Sequence, residues 1–415
     1  MGLLKKKKIA IERARTENAH EIVCLYCFRN FSPEKVHFRA VDTVDAAVDR
    51  KLDIYRARFR LNTAGELPPA LVPDEFSEAN KGYLRGVLSS LRDNADNLST
   101  KRLCPYCHNN IPANAGFSQS TVISIVGGRQ VGKSVYLTSL IHILKNVTST
   151  RFDISCTPFT NEIARKFKFD YEDPLTEKGY LLEPTQLDKR QEPLVFTVSF
   201  VDGTKPEINI VFFDIDEEYM LDVGYMEIFA DHVRNSAGLI FLVDPLQFRY
   251  ISRKIQILNR MDLDLSIVSE PAETLGDMVE SFVIRQQNGT TNTPMAIVLT
   301  KADLLEALSY EGEYIHPRSN IFNRFTHSGH FNLTEADILN YEVDEFIQIV
   351  DPNFRNTLKR RYPQLGLFAV SALGAHPDVV RQRVSNFAPV RVDEPFLWIL
   401  YKLGFVEGFY EGTRL

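Results

Sequence analysis

Residues Gly127-Gly128-Arg129-Gln130-Val131-Gly132-Lys133-Ser134 spell a complete G-x-x-x-x-G-K-S string between the apolar run Thr121 to Val126 and the segment Val135-Tyr136-Leu137. A strand, a glycine-bearing turn and a helix start in that order aim backbone N–H groups and a helix N-terminus at one point, which suits the phosphates of a nucleoside triphosphate. Lys133 is expected to reach the β and γ phosphates and Ser134 to give its hydroxyl to Mg²⁺. The glycines admit a backbone approach that a side chain would block. The expected contact set is Gly127, Gly128, Gln130, Val131, Gly132, Lys133, Ser134 and Val135. An ordinary glycine-rich turn is the competing reading, and the flanking segments weigh against it.

With 415 residues, 44% of them hydrophobic, the chain can bury one large α/β core and carry a further module. Its formal net charge of −6 weighs against a protein that coats DNA, while a local basic face stays compatible with it. No apolar run approaches the roughly 18 residues that span a bilayer. Met1-Gly2-Leu3-Leu4 followed by Lys5 to Lys8 lacks a secretory core, so a cytoplasmic location is expected. Gly2 suggests N-myristoylation, but Lys6 stands where that motif wants Ser or Thr, and the lysine run reads as a solvated terminus.

Four of the five cysteines form two C-x-x-C pairs, Cys24-Leu25-Tyr26-Cys27 and Cys104-Pro105-Tyr106-Cys107. Each short turn presents two thiolates to one ion, so together they predict a tetrahedral Zn²⁺ site. The spacing is unusual, because residues 28 to 103 intervene where a simple ribbon has about 15 to 20. Asp42 to Leu61 is expected to be a helix, followed by a break at Pro68, Pro69 and Pro73 and a second helix around Gly82 to Leu91. A redox pair and, with His108, a haem-attachment string are the rival readings of the second knuckle; its polar flanks lack the strand and helix that a redox pair needs. Free buried thiols are a further reading. His37 and His108 are candidate substitute ligands, and Cys156 reads as a small core residue.

Ala113 to Ser120 reads as a linker, dividing the chain into a zinc-binding module with a helical insertion (1–118) and a phosphate-loop domain (119–415). Apolar runs predict strands at Thr121 to Val126, Leu194 to Val201, Ile208 to Phe213, Ala237 to Val243, Met295 to Leu299 and Leu367 to Val370. Such runs suit a mostly parallel sheet with helices on both faces. An insertion at about 304–364 interrupts this α/β pattern.

The strand ends carry the chemistry. Asp214 follows Ile208 to Phe213 as a candidate Mg²⁺ ligand. Met295 to Leu299 runs into Thr300-Lys301-Ala302-Asp303, and the last strand into Ser371-Ala372-Leu373. A carboxylate such as Asp303 accepts two hydrogen bonds from guanine N1 and N2, the lysine stem packs over the base, and the Ser371 to Leu373 backbone offers an N–H to guanine O6. Adenine lacks that donor pair.

This order of motifs resembles the translation-factor-like class of P-loop GTPases over roughly residues 120 to 405, with Thr300 in place of the commoner Asn. The resemblance implies GTP and GDP as ligands with Mg²⁺. It also implies a first-switch threonine, for which Thr185 is the best candidate and Thr176 the second. The second switch departs from D-x-x-G: Asp214-Ile215-Asp216-Glu217-Glu218 puts Glu217 in the glycine's place and Glu218 where a water-orienting residue stands. Slow hydrolysis is therefore expected, assisted by Arg129 acting like an arginine finger or by a partner's residue. A solvent-facing Arg129 is the plainer reading. Gln130 sits where cation-dependent members carry Asn.

The C-x-x-C module, the G-K-S-V-Y-L continuation, Val392-Asp393-Glu394-Pro395-Phe396-Leu397-Trp398 and the missing switch glycine also resemble bacterial double-GTPase proteins. That resemblance implies a protein partner, a second GTPase or a second copy, and a stress or defence role. Three functions remain open: a zinc-bearing regulatory GTPase, a non-hydrolysing nucleotide-dependent scaffold, and a zinc-ribbon nucleic-acid-binding NTPase, the last disfavoured by the acidic composition.

Overall fold

The computed structural model describes residues 19–128, 130–182, 192–212, 231–232, 234–260, 292–310, 312, 314–378 and 381–412. Its centre is a seven-stranded sheet of β1 (Thr121–Gly127), β2 (Ile154–Pro158), β3 (Leu194–Phe200), β4 (Ile208–Phe212), β5 (Gly238–Val243), β6 (Met295–Leu299) and β7 (Leu365–Ala369). The strand order is β2-β3-β4-β1-β5-β6-β7. From β4 to β7 every pairing is parallel, whereas β2-β3 and β3-β4 are antiparallel. All residues of β1, β5 and β6 are buried, and since successive side chains point to opposite faces, both faces of the sheet are covered. The expected mostly parallel α/β sheet is thus present. The edge strand β2 was not foreseen; its buried-exposed alternation and terminal Pro158 suit a sheet edge.

Two glycines let a helix approach the sheet closely. At the start of β5 a Cβ on Gly238 would lie 2.4 Å from Ile399 Cγ2, and on Gly366 in β7 it would lie 2.8 Å from the Trp398 ring. Both partners sit on the C-terminal helix Glu394–Lys402, whose residues from Glu394 to Leu400 are all buried. Between β6 and β7 the insertion is ordered by the helices Leu333–Val350 and Pro352–Arg361, started by Asn332 and Asp351 as side-chain N-caps.

The N-terminal part is mainly β-structure. Ile22–Val23 pairs with Asn30–Phe31 around the first knuckle, and His37–Arg39 pairs with both Arg102–Leu103 and Ala70–Leu71. Of the helix expected over 42–61 only Arg50–Arg58 forms, because Asp49 caps it and Arg60 turns left-handed after it. The second expected helix, around 82–91, is instead a hairpin of Lys81–Leu84 with Val87–Arg92. Its turn residues Arg85 and Gly86 have φ of 47° and 80°, the left-handed pair that a two-residue hairpin turn requires.

At the start of the stretch Ala113 to Ser120, Arg102 donates to the carbonyls of Ala113 and Ala115 and to that of Pro112 just before it. Asn235, just before β5, donates to the Phe28 carbonyl at 2.8 Å and accepts from Asn30 at 3.1 Å, docking the first knuckle against the sheet.

Candidate nucleotide and metal sites

The described residues of the stretch Gly127 to Ser134 carry the chain from the end of β1 into a helix. Gly127 ends β1 where a Cβ would lie 2.9 Å from the Leu242 carbonyl, so nothing larger fits. Gln130 and Gly132 take φ of 59° and 85°, and the helix Lys133–Ile143 (α1) starts at the next residue. Its opening N–H groups and its dipole therefore point at the loop. Lys133 is buried and donates to the carbonyls of Gly127 at 3.4 Å and Gly128 at 2.9 Å. Ser134 and Val135 are half-buried on the first turn.

The ends of β5, β6 and β7 converge beside this loop. Thr300 is buried, and its hydroxyl lies 2.9 Å from the Val131 carbonyl and 3.2 Å from that of Val243, tying β6 to the loop. Lys301, with φ of 52°, donates to the Gln130 carbonyl at 3.2 Å and pairs with Asp244. Its stem passes 4.0 Å from where a Gly132 Cβ would be. From β7, the Ser371 hydroxyl donates to Asp303 Oδ1 at 2.6 Å and accepts from the Gly374 N–H at 2.9 Å. The Ala372 carbonyl accepts from Ser139 of α1, and the Leu373 carbonyl from the Ala388 N–H. Segments about 170 and 70 residues apart in sequence are thus brought to one place.

Two residues of this cluster were missed in the sequence. Asp244 carries the acid that holds Lys301, and its signal was an aspartate directly after the apolar run of β5. Gly374 has φ of 86°, and a Cβ there would lie 2.0 Å from the Ala388 carbonyl. Thr176 sits in the helical turns Lys168–Glu177 and donates to the Glu172 carbonyl. Arg129, Thr185, Asp214, Glu217 and Glu218 lie outside the described residues.

The four cysteines form a second, separate centre. Cys24 and Cys107 Sγ are 3.6 Å apart, Cys27 and Cys104 Sγ 3.7 Å, and all four sulfurs lie within 4.8 Å of one another. Zn–S bonds of ~2.3 Å in a tetrahedron give S···S edges of about 3.8 Å, so the sulfurs fit that ion. They are too far apart for disulfides, and all four are buried. The two knuckles repeat one conformation: Phe28 and His108 follow their second cysteines at φ of 59° and 54°, each donating to the carbonyl of the first. Backbone N–H groups of Cys27 and Tyr106 reach Cys24 and Cys104 Sγ.

Burial and the surrounding thiols push the Cys24 thiol well up, so this sulfur ionises only beside a compensating cation. Four protein ligands leave no open position, which suits a structural ion. The two histidines do not join the cluster. His37 Nδ1 lies 2.9 Å from His108 Nε2, and His108 Nδ1 lies 2.8 Å from Asp49, which also pairs with Arg39. Burial, reinforced by the Lys51 charge, lowers His37 to about 4 and keeps it neutral.

No described helix is long and apolar enough to cross a membrane. No family model matches the chain. A Mycolicibacterium smegmatis protein described as "Putative ESX-1 scaffolding and assembly protein SaeC" is 26% identical over 329 residues, covering 73% of this chain and 80% of that protein. Similar solved structures include the Saccharomyces cerevisiae Ski7 GTPase-like domain bound to GTP, 13% identical, with a TM-score of 0.32 over 69% of this chain and 51% of that one. The Trypanosoma brucei small GTPase Arl6 is 12% identical, with a TM-score of 0.26 over 69% and 98% of the two chains. A bacterial selenocysteine-specific elongation factor is also 12% identical, with a TM-score of 0.27 over 70% of this chain and 30% of its own. The chain spans about half the length of the Ski7 structure that it matches.

Proposed function

We propose that this chain is a guanine-nucleotide-binding regulatory protein, made of a zinc-binding module over 1–118 and a phosphate-loop domain over 119–415, that acts through a protein partner. The observation that carries this reading is the convergence of Thr300, Lys301 and the Asp303–Ser371 pair beside the loop Gly127 to Ser134. Asp303 keeps a carboxylate oxygen beyond the one bonded to Ser371, and a carboxylate matches the N1–H and N2–H donors of guanine. Adenine would leave that acceptor unpaired, a loss worth at least about a hundredfold in affinity.

In this reading Lys133 neutralises the β and γ phosphates, and Ser134, Thr185 and Asp214 hold Mg²⁺. Hydrolysis is slow, because Glu217 replaces the glycine whose N–H contacts the γ phosphate and Glu218 brings a carboxylate near the triphosphate. Arg129 or a partner's arginine would supply transition-state charge. The relative described as a scaffolding and assembly protein, together with Glu217 and Glu218, favours a second reading: a scaffold whose assembly depends on the bound nucleotide without turnover. Titration with fluorescent GTP, GDP and ATP analogues beside Lys133→Ala, followed by phosphate release with and without K⁺, tests both. Equal affinity for ATP and GTP contradicts the guanine assignment, and tight GTP binding with no released phosphate selects the scaffold.

A further inference from the structure

The helix Arg50–Arg58 sets Lys51, Ile54, Tyr55 and Arg58 on one face, since positions i, i+3, i+4 and i+7 follow one another along a helix. That face and the two cysteine knuckles enclose a cleft. Cys27 and Arg29 line it from the first knuckle, Tyr106 and Cys107 from the second, and Asp231 from the segment before β5. Cys27, Tyr55 and Cys107 are buried and form its floor, whereas Arg29, Lys51, Ile54 and Tyr106 are exposed at its rim.

Contacts across the cleft fix its rim. Lys51 Nζ donates to the Pro105 carbonyl at 2.7 Å, tying the helix to the second knuckle, and an ammonium has two further N–H donors. The Arg29 guanidinium carbon lies 5.3 Å from the Tyr106 ring centre, and its Nε lies 3.8 Å from an Asp231 oxygen. The sulfurs take their described hydrogen bonds from other donors, the backbone N–H groups of Cys27 and Tyr106 and the Asn109 amide. Tyr55 is 2% exposed, and its hydroxyl has no hydrogen-bond partner among the described residues. An unpaired buried donor is costly, so an acceptor brought by a ligand is favoured there.

We propose that this cleft docks an acidic segment of a partner protein, whose carboxylate enters between Arg29, Lys51 and Arg58 while a neighbouring apolar side chain lies on Ile54 and Tyr106. The proposal rests on the reading above that the chain acts through a protein partner, and on no contact with the nucleotide. Three cations against one lining carboxylate, that of Asp231, make the cleft basic within a chain of formal net charge −6. A local field of that sign steers an acidic partner and rejects a basic one. The two arginines offer paired N–H donors that match a carboxylate. Nucleic acid is the poorer match, because Asp231 in the lining and the acidic chain around it oppose a long phosphate backbone.

Fluorescence anisotropy of a fluorescein-labelled peptide of repeated Glu-Glu-Leu, titrated with the zinc-loaded full chain, reads the docking, with a Gln-Gln-Leu peptide and oligouridylate as competitors. The Glu peptide should bind and lose affinity as salt is added, and the Gln peptide should not compete. Arg29→Ala and Lys51→Glu should each weaken binding about tenfold or more at unchanged zinc content. Ile54→Asp changes an exposed side chain that is no metal ligand; it should weaken binding likewise, and it carries the test where either of the other two loses zinc. Binding within about twofold of wild type in Ile54→Asp and in the zinc-loaded charge variants, or equal binding of the Gln peptide, overturns the proposal. Oligouridylate that displaces the peptide and binds with the same loss in those variants assigns the cleft to nucleic acid and also overturns it. A wild-type chain that binds GTP but not the Glu peptide overturns the proposal and leaves the guanine reading standing. One that binds the peptide and no guanine nucleotide overturns that reading alone.

Discussion

The ammonium of Lys301 is ion-paired with Asp244, whose side chain is 4% exposed, and the two residues come from the ends of neighbouring parallel strands. Lys301 is thereby pinned against the Gln130 carbonyl of the phosphate loop, where its stem can pack over a base. Asp244→Ala leaves that lysine without its buried acceptor and should weaken GTP binding about tenfold, whereas Asp244→Asn, which still caps the Leu246 N–H, should weaken it less. Titration calorimetry on both variants checks this; equal affinities to wild type would show that the pair does not position Lys301 for the nucleotide.

Gly374 fixes the turn after Ser371. Alanine there meets the Ala388 carbonyl at 2.0 Å with φ of 86°, so the base loop has to shift. Gly374→Ala should cost on the order of 1–3 kcal/mol in stability and lower guanine-nucleotide affinity more than it affects zinc content. Urea unfolding with parallel metal analysis measures both.

Much of this site was legible because strands buried on both faces are unbroken apolar runs, and the chemistry sits directly after them. Met295 to Leu299 is such a run, so Thr300, Lys301 and Asp303 could be placed from the string alone. Asp244 could not. The register pairs Val243 with Leu299, which puts Asp244 beside Thr300, and that adjacency exists only once the strands are aligned. Around 82–91, a window of ten residues with apolar positions at Leu84, Val87, Leu88 and Leu91 satisfies helical spacing as readily as hairpin alternation. The left-handed Arg85-Gly86 turn decides for the hairpin. Gly374 matters through a partner more than ten residues away, which no local pattern reveals.

The four sulfurs share one centre, so the full chain should bind a single zinc ion. Cys24→Ser and Cys107→Ser, one from each knuckle, should each deplete it and lower the melting temperature by about 10 °C or more. Cys156→Ser should leave zinc content unchanged, since that thiol lies outside the cluster and burial raises it to about 12. Mass spectrometry under native conditions counts the ion; a full zinc equivalent in either knuckle variant would contradict a shared site.

His232 should impose an acid limit on stability. It is fully buried with Nε2 2.6 Å from the Ser124 hydroxyl, and burial lowers its pKa from 6.5 to about 3. The folded protein therefore keeps it neutral while the unfolded chain takes up a proton below pH 6.5. Its contribution is fully present above that pH and is lost as the pH falls toward 3, by about 2 kcal/mol between pH 7 and pH 5. Urea unfolding at pH 7 and 5 should show His232→Gln losing less stability than wild type over that interval. Equal losses in the two proteins would contradict the assignment.

The central claim is that Asp303 reads guanine. Xanthine carries a carbonyl where guanine carries its N2 amine, so replacing one acceptor by an amide donor should exchange the preferred base. The direct measurement is competition of GTP and XTP for wild type and Asp303→Asn against one fluorescent guanine or xanthine analogue. Wild type should prefer GTP and Asp303→Asn should prefer XTP, with the ratio moving by about a hundredfold or more between them. An unchanged GTP-to-XTP ratio in Asp303→Asn would contradict the account.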